Sequence, residues 1–445
     1  MKNLILTMAA AHMGFLLFSS AACIADAPID STLDPVEVST PEGEITERTA
    51  LTENSNAVID ALPGIQSWVT IDGHAMPGEL TEINTLAHRG GHASAPARTP
   101  GEALPEELLE VLKDAPLAPD EKDPSVDFLA ANDGEIAIHA DGRDYLHTFN
   151  LLDYAQAAEE RELLEEQTGS PPDNPLSDDS REREDEIEKS WSNGTDSRVR
   201  RGYADGYSVN SYRMMADYGG CSAIILHASS TRVWALTAAH CLFTNDAGAT
   251  TSNKLVPRRD HSNGSNTKPF GSWSRSNYVY NVDYLNNECA SDWDYSSCAQ
   301  WDIVFVRFVP SGTTSTPGYM GRGQVSGSYL SSHDKYRRGY PSCSHSGAPS
   351  SCTNNTLYGD GKLSTGEFAF KNSANWYRII HHSSDTNKYD SGSGMYYYKD
   401  SNQTRAFGVH VGGTSGCFSS CSSGRPNYTR RITPTWYNVI ANNQY

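Results

Sequence analysis

Three residue types that together can cleave an acyl bond occur in separate stretches of this 445-residue chain. His240 lies in the string LTAAHC, Asp302 opens the apolar run IVFV, and Ser391 lies in the string YDSGSG. A serine hydroxyl is a poor nucleophile until a base removes its proton, and an acid is needed to orient that base and stabilise its charged form. The three residues therefore predict nucleophilic acyl transfer, provided that the fold brings them together.

The surroundings of His240 and Asp302 favour these roles. Residues 221 to 237 contain alternating and continuous apolar positions, which predict two strands joined by a turn at residues 227 to 232. Small residues precede His240 and a cysteine follows it, so its ring has room and a fixed position. An acid that enters an apolar strand is costly unless it is paired, and an imidazole is a suitable partner for Asp302.

Residues 236 to 241 resemble the L-T-A-A-H-C hallmark of the chymotrypsin/trypsin family of serine proteases. The order His240, Asp302, Ser391 is also the order of that family. The resemblance covers residues 202 to 445 and implies an all-β fold of two six-stranded antiparallel β-barrels with a short C-terminal helix. It further implies a disulfide between Cys221 and Cys241.

The serine motif is similar to the family's G-D-S-G-G-P, and to the G-N-S-G-S-P of its glutamyl-endopeptidase branch. Aligned on D-S-G, the nucleophile is Ser391, while Ser393 is the alternative. The oxyanion hole would use the backbone N–H groups of Tyr389 and Ser391. Tyr389 departs from the family, which usually has glycine there.

Candidate substrate-binding residues give conflicting indications. Asp385 lies six residues before Ser391, where trypsins place the acid that attracts Arg or Lys. His410 falls where the glutamyl-endopeptidase branch places a histidine that contacts substrate glutamate, and Gly412 and Gly413 would leave the pocket wall open. Only two glutamates follow residue 201, against 22 between residues 26 and 201. The P1 preference stays open between basic and acidic, with a slight preference for basic.

The chain before residue 202 has a different character. Residues 1 to 25 have one early lysine, an apolar run and small residues, which predicts a secretory signal peptide, with a lipid anchor on Cys23 as the alternative. Residues 26 to 201 carry 40 acidic and 13 basic residues, whereas residues 202 to 445 carry 15 acidic and 21 basic. Opposite net charges attract at long range, as an acidic pro-region held against its enzyme would require. We therefore expect a protease domain at 202–445 that is preceded by a pro-region.

The basic string 198 to 201, RVRR, lies at this change of composition and favours cleavage near Arg201, with a mature start at or within a few residues of Gly202. In trypsin-like zymogens the new N-terminus pairs with the acid before the nucleophile, which here is Asp390. The string GYADGYS lacks the apolar start that such insertion uses, so pairing of a new N-terminus with Asp390 is not expected. The pro-region would instead inhibit the enzyme or assist its folding.

Cysteine usage agrees with export. Eight of the nine cysteines follow residue 201, and an even set in an exported chain predicts disulfides whose connectivity the sequence leaves open. Pairing neighbours in order would give four short loops, 221–241, 289–298, 343–352 and 417–421. The eight are Cys221, Cys241, Cys289, Cys298, Cys343, Cys352, Cys417 and Cys421. No metal ligand set with defensible spacing occurs, so neither a metal nor another cofactor is expected.

The predicted function is that of a secreted serine endopeptidase made as a zymogen. Its expected partners are protein or peptide substrates and its own pro-region, with no nucleic acid and no stable membrane insertion. Two alternatives remain: a catalytically inactive protease-like binding protein, and an esterase that uses the same three residues.

Overall fold

A computed structural model describes the parts of the chain that build and position the candidate site. The described residues are 68–71, 74–83, 135–149, 157, 199–200, 214–245, 248–249, 253–259, 267–290, 298–312, 315–323, 329–330, 333–341, 354–359, 368–370, 378–382, 390–399, 404–413 and 427–443. All of them belong to one compact unit, Arg48–Tyr445. The predicted signal peptide and several predicted residues lie outside them: Arg201, Gly202, Cys343, Cys352, Asp385, Tyr389, Cys417 and Cys421.

The described residues are mostly β-strand. The first strands are β1 (Trp68–Ile71), β2 (His74–Pro77), β3 (Glu79–Ile83), β4 (Ile136–Ala140), β5 (Arg143–Thr148), β6 (Val199–Arg200), β7 (Met215–Tyr218), β8 (Ser222–Ala228), β9 (Val233–Thr237), β10 (Phe243–Asn245) and β11 (Gly248–Ala249). The later strands are β12 (Lys254–Pro257), β13 (Trp273–Asn281), β14 (Val304–Pro310), β15 (Gly321–Arg322), β16 (Lys335–Gly339), β17 (Tyr358–Gly359), β18 (Phe368–Phe370), β19 (Ile379–His382), β20 (Gly394–Tyr398), β21 (Thr404–Gly413) and β22 (Asn427–Arg431). Two α-helices are described, α1 (Val282–Asn286) and α2 (Pro434–Asn443).

Six antiparallel strands close into a barrel in the order β12-β7-β8-β9-β14-β13, and pairing of β12 with β13 completes the circle. Strands β8, β9 and β14 supply near-continuous apolar runs, and residues such as Ile224, Leu236 and Phe305 are fully buried in the barrel core. Strands β8 and β9 are the pair predicted around residues 221 to 237. Strands β7, β8, β9 and β14 are thereby paired on both sides, whereas β13 pairs with β12 only near Trp273.

The second sheet follows the order β18-β19-β22-β21-β20-β16-β17-β6, with β15 pairing parallel to β21. Strand β20 begins three residues after Ser391, and β21 carries His410. The nucleophile candidate and the specificity candidate are thus placed by neighbouring strands.

The C-terminal helix α2 starts at Pro434, whose fixed φ and missing N–H suit the first helical turn. Trp436, Val439 and Ile440 share a face and are fully buried. The predicted all-β fold with a short C-terminal helix is confirmed: the first six-stranded antiparallel barrel closes, and a second sheet stands where the second barrel was predicted. Among the described residues, no helix is long and apolar enough to cross a membrane.

Two of the four predicted disulfides fall within the described residues. Cys221 is bonded to Cys241, and Cys289 is bonded to Cys298. Both pairings join cysteines that are neighbours in sequence order, as predicted.

Part of the acidic region continues the first sheet. Strand β4 pairs antiparallel with β13, β5 pairs with β4, and β3 pairs with β5. Strand β13 therefore pairs with β12 near Trp273 and with β4 over residues 278–281.

Candidate active site

His240 and Asp302 are brought together by the pairing of β9 with β14. The ladder between these antiparallel strands ends with Thr237 opposite Val304. His240 follows three residues after Thr237, on a short 3-10 helix, and Asp302 stands two residues before Val304. Both residues consequently emerge at the same end of the barrel.

The Asp302 carboxylate makes two hydrogen bonds to His240. The ring Nδ1 lies 2.7 Å from Asp302 Oδ2, and the backbone N–H of His240 donates to Oδ1 at 2.9 Å. Because a carboxylate accepts, Nδ1 carries the hydrogen and the neutral ring has its lone pair at Nε2. Asp302 is fully buried, whereas the His240 side chain is 27% exposed. A fixed tautomer with a partly exposed ring is what a general base requires.

Burial by itself would lower the pKa of His240. The charge of Asp302 and its hydrogen bond act in the opposite direction, and the net result is a pKa raised above the usual 6.5. Asp302 thus stabilises the imidazolium that would form when the ring accepts a proton.

The turn that carries Ser391 is tied to the first barrel. The backbone N–H of Ser222 donates to the Ser391 carbonyl oxygen at 2.7 Å. Ser222 follows Cys221, which is disulfide-bonded to the neighbour of His240, Cys241. Covalent and hydrogen bonds therefore connect the candidate nucleophile to the candidate base within a few residues.

Gly392 allows this close approach. It has a φ of +80°, and its N–H donates to the carbonyl oxygen of His410 at 2.7 Å. A Cβ at this position would come within 1.9 Å of the Ser222 carbonyl oxygen and 2.2 Å of Thr237 Oγ1. The D-S-G string needs glycine here for both conformation and space.

Ser393 occupies a different environment from Ser391. It is fully buried, and its Oγ lies 3.5 Å from both Asp390 Oδ1 and Arg337 Nη1. Ser391, by contrast, is partly exposed. Since a substrate carbonyl must reach the hydroxyl, this difference favours Ser391 as the nucleophile.

Asp390 forms a buried ion pair that sequence reasoning missed. Arg337 Nη1 lies 3.2 Å from Asp390 Oδ1, and both side chains are fully buried. The acid expected to receive a new N-terminus in a trypsin-like zymogen therefore has an arginine of β16 as its partner. Arg337 lies in the string KYRRG, and nothing in that string identifies Asp390 as its partner.

His410 is buried beside a second histidine, His382 of β19, that was also missed. His410 Nδ1 lies 3.4 Å from His382 Nε2, and each residue is at most 3% exposed. Burial lowers the pKa of His410 well below 6.5, and the positive potential of His382, Arg337 and His240 lowers it further. His410 is therefore neutral at neutral pH. The positive potential around it would stabilise a negatively charged group. The only sequence signal for His382 was the pair of histidines at 381–382.

Arg430 of β22 and Arg378, which directly precedes β19, hold the segment before Asp302. Arg430 Nε donates to the Gln300 carbonyl oxygen at 2.6 Å, and Arg378 Nη1 donates to Gln300 Oε1 at 2.9 Å. The Arg378 guanidinium also lies 4.4 Å from the centre of the Trp301 ring. These contacts fix the chain immediately ahead of Asp302 against the second sheet.

The remaining specificity candidates lie at the end of β21. Gly412 and Gly413 pair with Tyr428 and Asn427, and the register shifts between His410 and Gly412. Such bulges redirect a side chain at the end of a strand. Asp385 and Tyr389 are outside the described residues.

No protein-family model matches the sequence, and no curated protein matches it significantly. Among solved structures, the protease Anisep from Arthrobacter nicotinovorans is 18% identical, with a TM-score of 0.34, and the match covers 51% of this chain and 93% of that one. The thermostable serine protease AL20 from an extremophilic microorganism is 14% identical, with a TM-score of 0.33, and the match covers 53% of this chain and 96% of that one. Both neighbours are named as proteases.

One close group of metal-ligand types occurs among the described residues: Cys221, His240 and Cys241. The two sulfur atoms are bonded to each other, so they offer no thiolate to a metal ion.

Proposed function

We propose that the protein is a serine endopeptidase in which His240 is the general base, Asp302 orients it and Ser391 is the nucleophile. The observation that carries the proposal is the buried Asp302 carboxylate, which is bonded to both the ring and the backbone of a partly exposed histidine. The tie between Ser391 and Ser222, next to the disulfide beside His240, supports the same assignment.

The proposed reaction has two halves. Ser391 Oγ attacks the carbonyl carbon of the scissile bond while its proton passes to His240 Nε2, and Asp302 stabilises the resulting imidazolium. Backbone N–H groups at Tyr389 and Ser391 would stabilise the oxyanion. The amine leaves with the proton from His240, and a water molecule then hydrolyses the acyl-enzyme by the same steps in reverse order.

Covalent labelling tests this function against its alternatives. A peptidyl phosphonate diester should label Ser391, as read by mass spectrometry of the digested protein, and the unlabelled protein should degrade casein. An inactive binding protein would resist labelling. An esterase would be labelled and would cleave a peptide ester but leave casein intact.

The activity should depend on the protonation of His240. Because only the neutral ring accepts the serine proton, kcat/KM is expected to fall as the pH drops through a pKa that lies above 6.5. The measurement is the pH profile of kcat/KM on a peptide ester. In Asp302→Asn, the residual kcat/KM should fall to half its plateau at a lower pH, because the charge that raises the pKa of His240 is gone. An acid limb well below pH 6 in the unmodified protein would contradict the assignment of His240 as the base.

We propose an acidic P1 residue. His382 and Arg337 contribute a positive potential around the neutral His410, and a substrate carboxylate would accept a hydrogen bond from the His410 ring. These charges favour the acidic alternative over the slight sequence-based preference for a basic one.

His410→Val is expected to reduce cleavage after glutamate by about 10- to 150-fold, since a hydrogen bond to a charged group contributes about 1.5–3 kcal/mol. Asp385→Asn is the matched comparison and should leave glutamate cleavage nearly unchanged. Both variants are assayed as kcat/KM on peptides that differ only at P1. Loss of Arg and Lys cleavage in Asp385→Asn, with His410→Val unaffected, would support a basic P1 instead.

We further propose that the chain is exported with residues 1 to 25 as its signal and is cleaved near Arg201. The two disulfides support an oxidising compartment, in which such bonds persist. The Arg337–Asp390 pair favours an activation that does not require insertion of a new N-terminus beside Ser391.

A further inference from the structure

A strand of the acidic region lies directly on the first barrel. Residues 136 to 139 of β4 pair with residues 278 to 281 of β13, from Ile136 opposite Asn281 to His139 opposite Tyr278. The Val282 N–H also donates to the Glu135 carbonyl oxygen at 2.8 Å. Strand β4 thereby covers the part of β13 that pairing with β12 leaves open.

The side chains of β4 form part of the barrel's hydrophobic core. Ile136, Ala137 and Ile138 are at most 2% exposed and belong to the same buried cluster as Tyr280 and Val304. A segment that binds only as a removable inhibitor would not need to supply core residues. These side chains are instead buried like those of the barrel's own strands.

Further contacts involve both ends of the hairpin formed by β4 and β5. The His139 ring stacks on Tyr278 with centroids 4.5 Å apart and planes inclined by 8°, and its Nδ1 lies 3.0 Å from Asp144 Oδ1. His147 Nε2 donates to the Pro77 carbonyl oxygen at 3.0 Å, which links β5 to β2. Met76 of β2 is buried in the same core cluster as the barrel residues.

We infer that residues 68 to 149 stay on the protease domain as a non-covalent second chain after cleavage near Arg201, held chiefly by β4 on β13. The inference rests on the cleavage included in the proposed function. Retention is compatible with catalysis because β13 and β14 stand between β4 and β9 in the sheet order, so β4 does not lie across the strands that lead to His240 and Asp302. The net charges of the two regions, acidic before residue 202 and basic after it, also favour association.

The test separates retention from catalysis. A recognition sequence for a site-specific protease is inserted after Asn193 in the full chain carrying Ser391→Ala, which removes self-cleavage. After complete cutting at neutral pH, both fragments are expected to co-elute in size-exclusion chromatography at the volume of the uncut chain, and to separate in urea. Separate elution without denaturant would overturn the inference. The proposed peptidase activity is measured on the unmodified protein, so either proposal can fail alone.

Two matched variants locate the contact. Ile138→Asp puts a charge into the buried face of β4 and should cause the cut fragments to elute separately. Arg143→Ala, in the same hairpin but with a side chain 60% exposed, should leave them together. Co-elution of the cut Ile138→Asp fragments would show that β4 on β13 does not hold them.

Hydrogen exchange of the cut protein gives a readout that does not depend on the folding of a variant. The Val282 amide donates to Glu135 of the acidic region, so it should exchange about 100-fold more slowly, or slower still, than in an unfolded peptide. Exchange of that amide at the unfolded rate, while barrel amides of β8 and β9 stay protected, would overturn the inference.

Discussion

Replacing Ser391 with alanine is expected to reduce kcat on peptide substrates by about 10⁴-fold or more, because the variant has no nucleophile for the acyl-enzyme route. The Ser391 backbone would still accept from Ser222, and Gly392 would still donate to His410, since the substitution removes one oxygen atom from a partly exposed side chain. KM and the free energy of unfolding should therefore change little. The measurement is steady-state kinetics on the preferred peptide, with a urea unfolding curve for the same sample.

Ser393→Ala is the matched control, since it removes the same atom two residues away. Most activity should remain, because the buried Ser393 hydroxyl makes only long contacts to Asp390 and Arg337. A large loss of kcat in Ser393→Ala, with Ser391→Ala nearly active, would mean that the serine motif has been aligned on the wrong residue.

The contact between His240 and Asp302 could be predicted because both residues lie next to strands whose apolar runs are continuous. The register of β9 against β14 then places them at one end of the barrel. The two described disulfides were predictable for a related reason, since each closes a short loop between neighbouring cysteines. In each case the information lies within a local stretch of chain.

Long-range partners could not be predicted in this way. Arg337 stands 53 residues before Asp390, and His382 stands 28 residues before His410; neither spacing has a local signal. A buried arginine inside a strand contradicts the usual apolar pattern, and only the three-dimensional position of Asp390 explains its burial. Strand β4 is a similar case. Its IAIHA string reads as an ordinary short strand, and nothing in it indicates β13 as its neighbour.

The Arg337–Asp390 pair bears on how the proposed protease would reach its active form. In a trypsin-like zymogen the acid before the nucleophile lacks its partner until cleavage supplies a new N-terminus. Here the acid is already paired in the uncut chain with an arginine of β16. The turn from Asp390 to Ser393 therefore has this partner in the uncut chain, and the proposed cleavage near Arg201 would have to act through something other than this ion pair.

Arg337→Met is expected to destabilise the fold by about 3–5 kcal/mol, because it leaves the Asp390 carboxylate buried without its cation. Activity should fall together with stability, because Asp390 is the neighbour of Ser391. The Asp390 carbonyl oxygen also accepts a hydrogen bond from the Ser393 N–H in the same turn. Stability is read from urea unfolding in a Ser391→Ala background, where self-digestion is absent, and activity is read in the background that keeps Ser391. Adding Asp390→Asn to Arg337→Met should restore part of the stability, because the unpaired charge is then gone.

Arg338→Met provides the comparison on the same strand. Arg338 is equally buried, but its guanidinium lies over the rings of Tyr336 and Tyr396, at 5.6 and 5.9 Å from their centres. Replacing Arg338 should lose packing against these rings but leave the Arg337–Asp390 ion pair in place. The variant should therefore keep its peptidase activity. If Arg337→Met were instead inactive before cleavage and fully active after it, the new N-terminus would be supplying the partner of Asp390. Activation would then follow the trypsin-like route, and the pairing of Arg337 with Asp390 would belong only to the uncut chain.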